Sequence, residues 1–502
     1  MYKFHLTLLI FLTFFIAGCN EKNEPATSSL KTETPAIQKN ELKEENSLQE
    51  SIKTLEDPTP VETEIIEQPK LYPEKIIKRT SQTVNKNNTH KFDFNIIKKG
   101  FESDNTLLIV GGIQGDEPGG FMAASLIATH YDITKGSVWI VPNLNFYSII
   151  KRSRGPYGDM NRKFSDISPS DPDYKAIQRI KSYITDEKVK LIVNLHDGSG
   201  YYRPKYEDKH HSPYKWGQCS IIDQASLELE EYGDLYSISS KIVGHVNQNL
   251  IDQEHKYHLY NTKTSEGDKE MEKTLTYYAI NQGKAAFGNE ASKSLPTHQR
   301  TYYHLLALEK YMEIMGIEFK RKFNLNDQVI KNIIDNDVEI SLYDGKINLP
   351  LSEVRSFLNY FPVNTDGTID FSPSNPLISI VKKHDEYIIY YGNRRLSTLS
   401  PDYIPLDNED TTIMLTVDSV KQELQLGSVV DVKQNFLVHP VKDYRINVIG
   451  FTNGKNNEET DVSIDRTKLM KRFSIDKKGS TYRVEYYKNK KFAGMILVRF
   501  SS

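Results

Sequence analysis

Three runs of large aliphatic residues in this chain each stop abruptly in polar, glycine-rich or helix-breaking sequence. They are Leu107-Leu108-Ile109-Val110 before Gly111-Gly112, Val138-Trp139-Ile140-Val141 before Pro142-Asn143, and Leu191-Ile192-Val193-Asn194-Leu195 before His196-Asp197-Gly198. Continuous rather than alternating apolar runs describe strands covered on both faces, as in a sheet sandwiched between helices. Helical periodicity fills the gaps, from Phe121 to Tyr131, from Tyr174 to Thr185, from Leu227 to Asn249 and from Gln299 to Met315. Strands alternating with helices specify an α/β domain, a mixed sheet with helices on both faces. In such sheets ligands gather at the carboxyl ends of the strands, where the polar motifs of this sequence sit. A shorter alternation, Phe92-Asp93-Phe94-Asn95-Ile96, reads as the first strand, so order is expected from about Lys91.

Beyond about Phe319 the texture becomes all-β. Val338 to Tyr343 and Lys346 to Leu349 flank Asp344-Gly345, a hairpin signal. Ile378 to Val381 and Tyr387 to Tyr391 flank a turn at His384-Asp385. A further series includes Thr412 to Val417, Tyr444 to Phe451, Tyr482 to Tyr486 and Met495 to Val498, with the spacing of an Ig-like sandwich. The expected order is a leader at 1–18, a tether at 19–75, an α/β domain at 76–318, a β-rich domain at 319–404 and a β-sandwich at 405–502.

The leader rests on Lys3, the apolar run from Leu6 to Ala17 and the ending Ile16-Ala17-Gly18-Cys19, which is too short to span a bilayer comfortably. Cys19 after small residues resembles a bacterial lipobox, which implies export to the periplasm and a lipid anchor on Cys19. From Asn20 to about Glu74 the chain is rich in Glu, Lys, Thr, Ser and Pro, and cannot bury enough surface to offset its ordering entropy. Only one other cysteine, Cys219, exists, so a disulfide framework is excluded. A net charge of -3 gives no footprint for nucleic acid.

The first polar motif is Gly111-Gly112-Ile113-Gln114-Gly115-Asp116-Glu117. Gln114 and Glu117 are three apart in a tight turn, where both could reach one ion. His196, at the end of the third run, could supply a distant third ligand. Two nearby protein ligands, one remote and an open position form the pattern of catalytic zinc.

These motifs resemble the zinc carboxypeptidases of the carboxypeptidase A type, with His-x-x-Glu and a downstream His, except that Gln114 stands where His is usual. The glutamine form is similar to a narrower group, the peptidoglycan DL-carboxypeptidases of helical bacteria, which also carry β-domains. That resemblance implies a zinc-dependent enzyme that removes diaminopimelate from uncrosslinked stem tripeptides and so influences cell shape, with cell-shape protein partners reached through the β-domains. It implies Asn161 and Arg162 as binders of the terminal carboxylate, and a guanidinium suits that task by forming two parallel hydrogen bonds. Arg154, on the same loop, would grip a second carboxylate or polarise the scissile carbonyl. Glu290, in Phe287-Gly288-Asn289-Glu290, matches the family's proton-transferring glutamate. Asp197 is open between orienting a ligand and capping a loop, and Tyr201-Tyr202-Arg203-Pro204 between lining the cleft and packing in the core. Two other functions fit the same residues: a zinc deacylase of the aspartoacylase-like branch, and a wall-binding scaffold without catalysis.

Overall fold

The computed structural model describes residues 70–74, 76–83, 92–452 and 459–501. The leader, Cys19 and the tether up to residue 69 lie outside them. The three apolar runs form neighbouring parallel strands, Thr106–Val110, Ser137–Val141 and Val189–Gly198. Ala285–Ser292 joins them in parallel beside Val189–Gly198. Ile97–Gly100 closes one edge antiparallel, while Cys219–Ile222 and then His258–Asn261 extend the other, giving a mixed sheet of seven strands. Every residue of Thr106–Val110 and Ser137–Val141 is buried. Helices Pro118–His130 and Thr297–Ile314 pack on each other and on the sheet, and Tyr174–Ile184 and Leu275–Asn281 also lie against it.

Several expectations need correction. The alternation at Phe92 to Ile96 is not a strand; the pairing starts at Ile97. Phe92 and Phe94 are buried without ladder partners, which explains the misleading pattern. The expected helix from Leu227 begins only at Leu235, where Asp234 accepts from the Ser237 N–H as its cap. Order begins before Lys91. Leu71 bridges to Phe101, and the Tyr72 hydroxyl accepts from the Trp139 indole at 3.1 Å. Arg79–Thr80 and Gln82–Thr83, expected in the α/β domain, pair instead with Asp370–Pro373 and Ile378–Lys383 of the β-rich domain. At the other boundary, Glu318–Arg321 pairs with Tyr131–Lys135, and helix Asp327–Asn336 packs on Thr297–Ile314. The α/β body thus runs past 318 because its last helix needs a partner for Ile330, Ile333 and Ile334.

The β-rich domain has a sheet of four strands and one of five, and its core is continuous with that of the α/β domain. A turn at Gly392-Asn393 reaches the polar motifs: the Asn393 carbonyl accepts from Arg152, and its amide donates to the Gly115 carbonyl at 3.5 Å. The last domain is a sandwich of two four-stranded sheets around its own core. Thr412–Val417 alternates buried Ile413, Leu415 and Val417 with wetter positions, as its sequence requires. Among the described residues no helix is long and apolar enough to cross a membrane.

Candidate active site

The Gln114 loop leaves the end of Thr106–Val110 and enters helix Pro118–His130 directly after Glu117. Glycine is required at Gly115, where a Cβ would collide with the Ser148 carbonyl, and at Gly119, where it would strike the Asp197 carboxylate. These close approaches pull Gln114 and Glu117 inward, to 1% and 4% exposure. His196 lies on Val189–Gly198, and the parallel register sets it directly beside Glu290 on Ala285–Ser292.

Three donor atoms converge. His196 Nδ1 lies 2.9 Å from Glu117 Oε2 and 3.2 Å from Gln114 Oε1. The Gln114 amide nitrogen is engaged elsewhere, donating to Asp159 Oδ1 at 2.7 Å, which leaves its oxygen aimed at the imidazole. Asp159 thus joins the site, although the sequence did not single it out two positions before Asn161. Its carboxyl is held below the usual range: burial opposes its charge, but the Gln114 hydrogen bond and the guanidinium groups of Arg154 and Arg162 outweigh that. No trio of His, Cys, Asp or Glu converges among the described residues. The trio here needs the neutral amide oxygen of Gln114, and a neutral oxygen, a carboxylate and an imidazole suit a divalent cation.

The other expected residues surround this point in a cavity of about 340 Å³, lined by Gln114, Glu117, Arg154, Asn161, Arg162, His196 and Glu290 among others. A larger cavity of about 670 Å³, between Arg79, Phe146 and Phe371, holds none of them. Arg154 Nε donates to Asp159 at 2.9 Å, and its Nη1 lies 3.5 Å from Glu117. Asn161 Nδ2 is 3.4 Å from His196 Nε2, while its Oδ1 accepts from the Leu275 N–H at 2.9 Å. Arg162 Nη1 donates to the Asn161 carbonyl at 3.0 Å, and its carboxylate partners are distant, exposed Glu270 at 3.7 Å and Asp159 at 4.0 Å. The rest of its guanidinium is available to an arriving anion.

Glu290 is 8% exposed, and its Oε2 has no hydrogen-bond partner. Burial, then the charges of Glu117 and Asp197, push its carboxyl well above the ordinary range. Lys293, whose role the sequence did not announce, ion-pairs with Asp116 at 2.8 Å and Glu117 at 3.3 Å. Asp197 does more than cap a loop. It accepts from the Gly119 N–H at 2.8 Å, from Arg300 at 2.7 Å and from His304 at 3.2 Å, while its own N–H donates to Glu117 at 3.2 Å. Arg300 and His304 carry no motif and could not be foreseen. Tyr202 packs with Cys219 and Ile221, and Tyr201 stacks between His211 and His255, so both take the packing alternative. The Cys219 thiol is free, buried and pushed well up by that burial.

Three family profiles match in succession. Residues 84–335 match the catalytic part of a carboxypeptidase controlling helical cell shape, residues 335–405 the β-barrel domain of such carboxypeptidases, and residues 406–501 the C-terminal domain of metallo-carboxypeptidases. Among solved structures, the mDAP-bound form of Helicobacter pylori Csd4, a D,L-carboxypeptidase, is 39% identical over 84% of this chain and 100% of that chain, with a TM-score of 0.73. The tripeptide-bound Csd4 from Helicobacter pylori is 38% identical over 85% of this chain and 100% of that chain, with a TM-score of 0.72. A glutamine-to-histidine variant of Csd4 from the same organism gives the same identity, coverage and TM-score. A comparison with curated proteins gave no significant match. The protein thus belongs to the family of metallocarboxypeptidases that control helical cell shape.

Proposed function

We propose that this protein is a zinc-dependent DL-carboxypeptidase that removes the C-terminal diaminopimelate from uncrosslinked peptidoglycan tripeptides, leaves dipeptides and thereby influences cell shape. The observation that carries the reading is Glu290 Oε2, buried and unpartnered beside His196 in the cavity that Asn161 and Arg162 also line. The mDAP-bound and tripeptide-bound structures of Csd4 support the choice of substrate.

Gln114, Glu117 and His196 would hold the metal, and zinc there supplies Lewis acidity that polarises a carbonyl and acidifies water. Arg162 and Asn161 bind the free carboxylate of the terminal residue, which sets the position of the scissile bond. Arg154 adds a second cation, to grip a further carboxylate or to polarise the carbonyl. Glu290 takes a proton from the attacking water and passes it to the leaving amine; the raised pKa that its burial imposes places it between those tasks. Asp159 keeps the Gln114 amide turned with its oxygen inward. The leader and Cys19 support a periplasmic enzyme held to a membrane by lipid, with the β-domains as surfaces for cell-shape protein partners.

The test is incubation with purified muropeptides, following the tripeptide peak. Conversion of tripeptide to dipeptide that requires zinc and Glu290 is expected. A tripeptide peak that persists with zinc present and Glu290 intact overturns the proposal. For the anchor, fatty-acid labelling that survives Cys19→Ala would refute lipidation at that residue.

A further inference from the structure

The larger cavity, about 670 Å³, lies where the β-rich domain meets the α/β domain and shares no lining residue with the catalytic one. Phe92, Phe94 and Phe146 of the α/β domain and Phe371 and Ile380 of the β-rich domain wall it. Most of its charges are matched. Lys78 pairs with Asp344 at 2.8 Å, and Arg179 with Asp93 at 2.5 Å. The third lining carboxylate, Asp370, is exposed and accepts from the Thr80 hydroxyl at 2.6 Å.

Arg79 is the exception. It is partly buried, and it touches only neutral oxygens, the carbonyls of Ile378 and Pro376 and the side chain of Asn95. A guanidinium carries more N–H donors than these three acceptors use. Burial lowers its pKa to about 10, and no neighbouring carboxylate opposes that. The stretch of sequence between Thr83 and Phe92, Val84-Asn85-Lys86-Asn87-Asn88-Thr89-His90-Lys91, contains no acid that could supply the missing charge. A second idle group lines the same cavity. Ser379, on strand Ile378–Lys383, is 4% exposed and its hydroxyl has no hydrogen-bond partner. It directly follows Ile378, whose carbonyl Arg79 holds. Unmatched polar groups are costly to bury. Aromatic walls with a few convergent polar groups are the make-up of a small-molecule site.

We propose that this cavity binds an organic monocarboxylate with an apolar body, its carboxylate received by Arg79 and the Ser379 hydroxyl and its body packed among Phe92, Phe146 and Phe371. One unbalanced guanidinium calls for one negative charge, and the Phe146 ring, 5.0 Å from that guanidinium, brings apolar surface up to the same point. Two sources offer this chemistry, the carboxyl terminus of a peptide and a free acid. The site is separate from the catalytic one, and a ligand held there would touch both domains at once.

The test is calorimetric titration of the intact zinc-loaded protein with 4-phenylbutyrate, N-acetylphenylalanine, neutral 4-phenylbutyramide and inorganic phosphate. At least one acid should bind with a Kd below about 1 mM, and the amide at least about tenfold more weakly than phenylbutyrate. Ser379→Val breaks no hydrogen bond within the protein, so it should fold; it should weaken acid binding by about fivefold or more and leave muropeptide cleavage unchanged. Arg162→Ala, which disables the catalytic clamp, should leave acid binding intact, and Arg79→Met should abolish it. Should Arg79→Met fail to fold, Ser379→Val and Arg162→Ala decide between them. Tighter binding of N-acetylphenylalanine supports a peptide terminus as the source, and tighter binding of phenylbutyrate a free acid. No binding of either acid, or equal binding of acid and amide, overturns the proposal. So does binding lost in Arg162→Ala and kept in Ser379→Val, which places the acid on the catalytic clamp, or phosphate binding tighter than both acids.

Discussion

Replacing Asp197 with alanine removes the acceptor for three donors at once: the Gly119 N–H, Arg300 and His304. Arg300 is only 12% exposed at its side chain and His304 is fully buried, so neither can turn to water for compensation. Breaking a buried pair by deleting one partner costs about 3–5 kcal/mol, because the other charge stays behind. Against a typical total of about 5–15 kcal/mol, Asp197→Ala should be soluble but markedly less stable. Asp197→Asn keeps one oxygen to accept but aims an amide at a donor, and should lose about 1–3 kcal/mol. Urea unfolding followed by tryptophan fluorescence, with metal chelated, measures both; Trp139 and Trp216 both lie in the α/β domain. The pH dependence is a second check. Burial works against the Asp197 charge, yet His304, Arg300 and Gly119 prevail and hold its carboxyl below the usual range. A depressed folded pKa gives stability that is fully present above the unfolded value near ~3.9 and is lost as pH falls through the folded one. The gap between wild type and Asp197→Ala should therefore be widest near neutrality and shrink below about pH 4. A loss under about 1 kcal/mol for Asp197→Ala, or a gap independent of pH, would refute the reasoning.

Glu290→Gln should lower kcat on the tripeptide by about 10²–10⁴-fold with KM little changed, since it removes a proton carrier and keeps the shape; less than tenfold in steady-state assays would count against it. Arg162→Lys replaces a planar fork by a point charge, so KM should rise about tenfold or more while kcat is largely kept. Asp159→Ala frees the Gln114 amide, and metal affinity measured by chelator competition should weaken by roughly 10–100-fold. Zinc at a thousandfold excess over its Kd should raise the apparent unfolding free energy by about 4 kcal/mol, read as a chelator-reversible shift in Tm.

The α/β sheet was legible because its strands are buried on both faces and need continuous apolar runs, and because glycine-dependent turns mark where those runs end. Gln114, Glu117, His196 and Glu290 all sit at such ends, so position and residue type agreed. Ile97–Gly100 was hidden by Lys98 and Lys99; the Lys98 ammonium lies 3.5 Å over the Trp139 ring, so a charged residue occupies a position that packs. Arg79–Thr80 and Gln82–Thr83 are too short to carry any periodicity, and their pairing is decided by distant partners. Asp159, Arg300 and His304 meet the site through side chains brought together by the fold from separate elements. Nothing in local spacing distinguishes them from ordinary polar residues.

The route of the chain through the β-rich domain bears on how the molecule assembles. Thr80 and Asp370 share a hydrogen bond across 290 residues, so the whole α/β domain is spliced between the first strands of the β-rich domain and the rest of it. During synthesis those opening strands must wait for their partners until the catalytic portion has been made. Closing so long a loop, were it floppy, would cost about 2 kcal/mol more than closing one of about 30 residues. A catalytic domain that is already folded brings the two ends together and removes most of that cost. Refolding should therefore proceed in sequence, with the seven-stranded sheet forming first and the β-rich domain closing on it as a template. A burst of native Trp139 fluorescence that precedes protection of the Asp370–Pro373 amides from hydrogen exchange would be its kinetic signature.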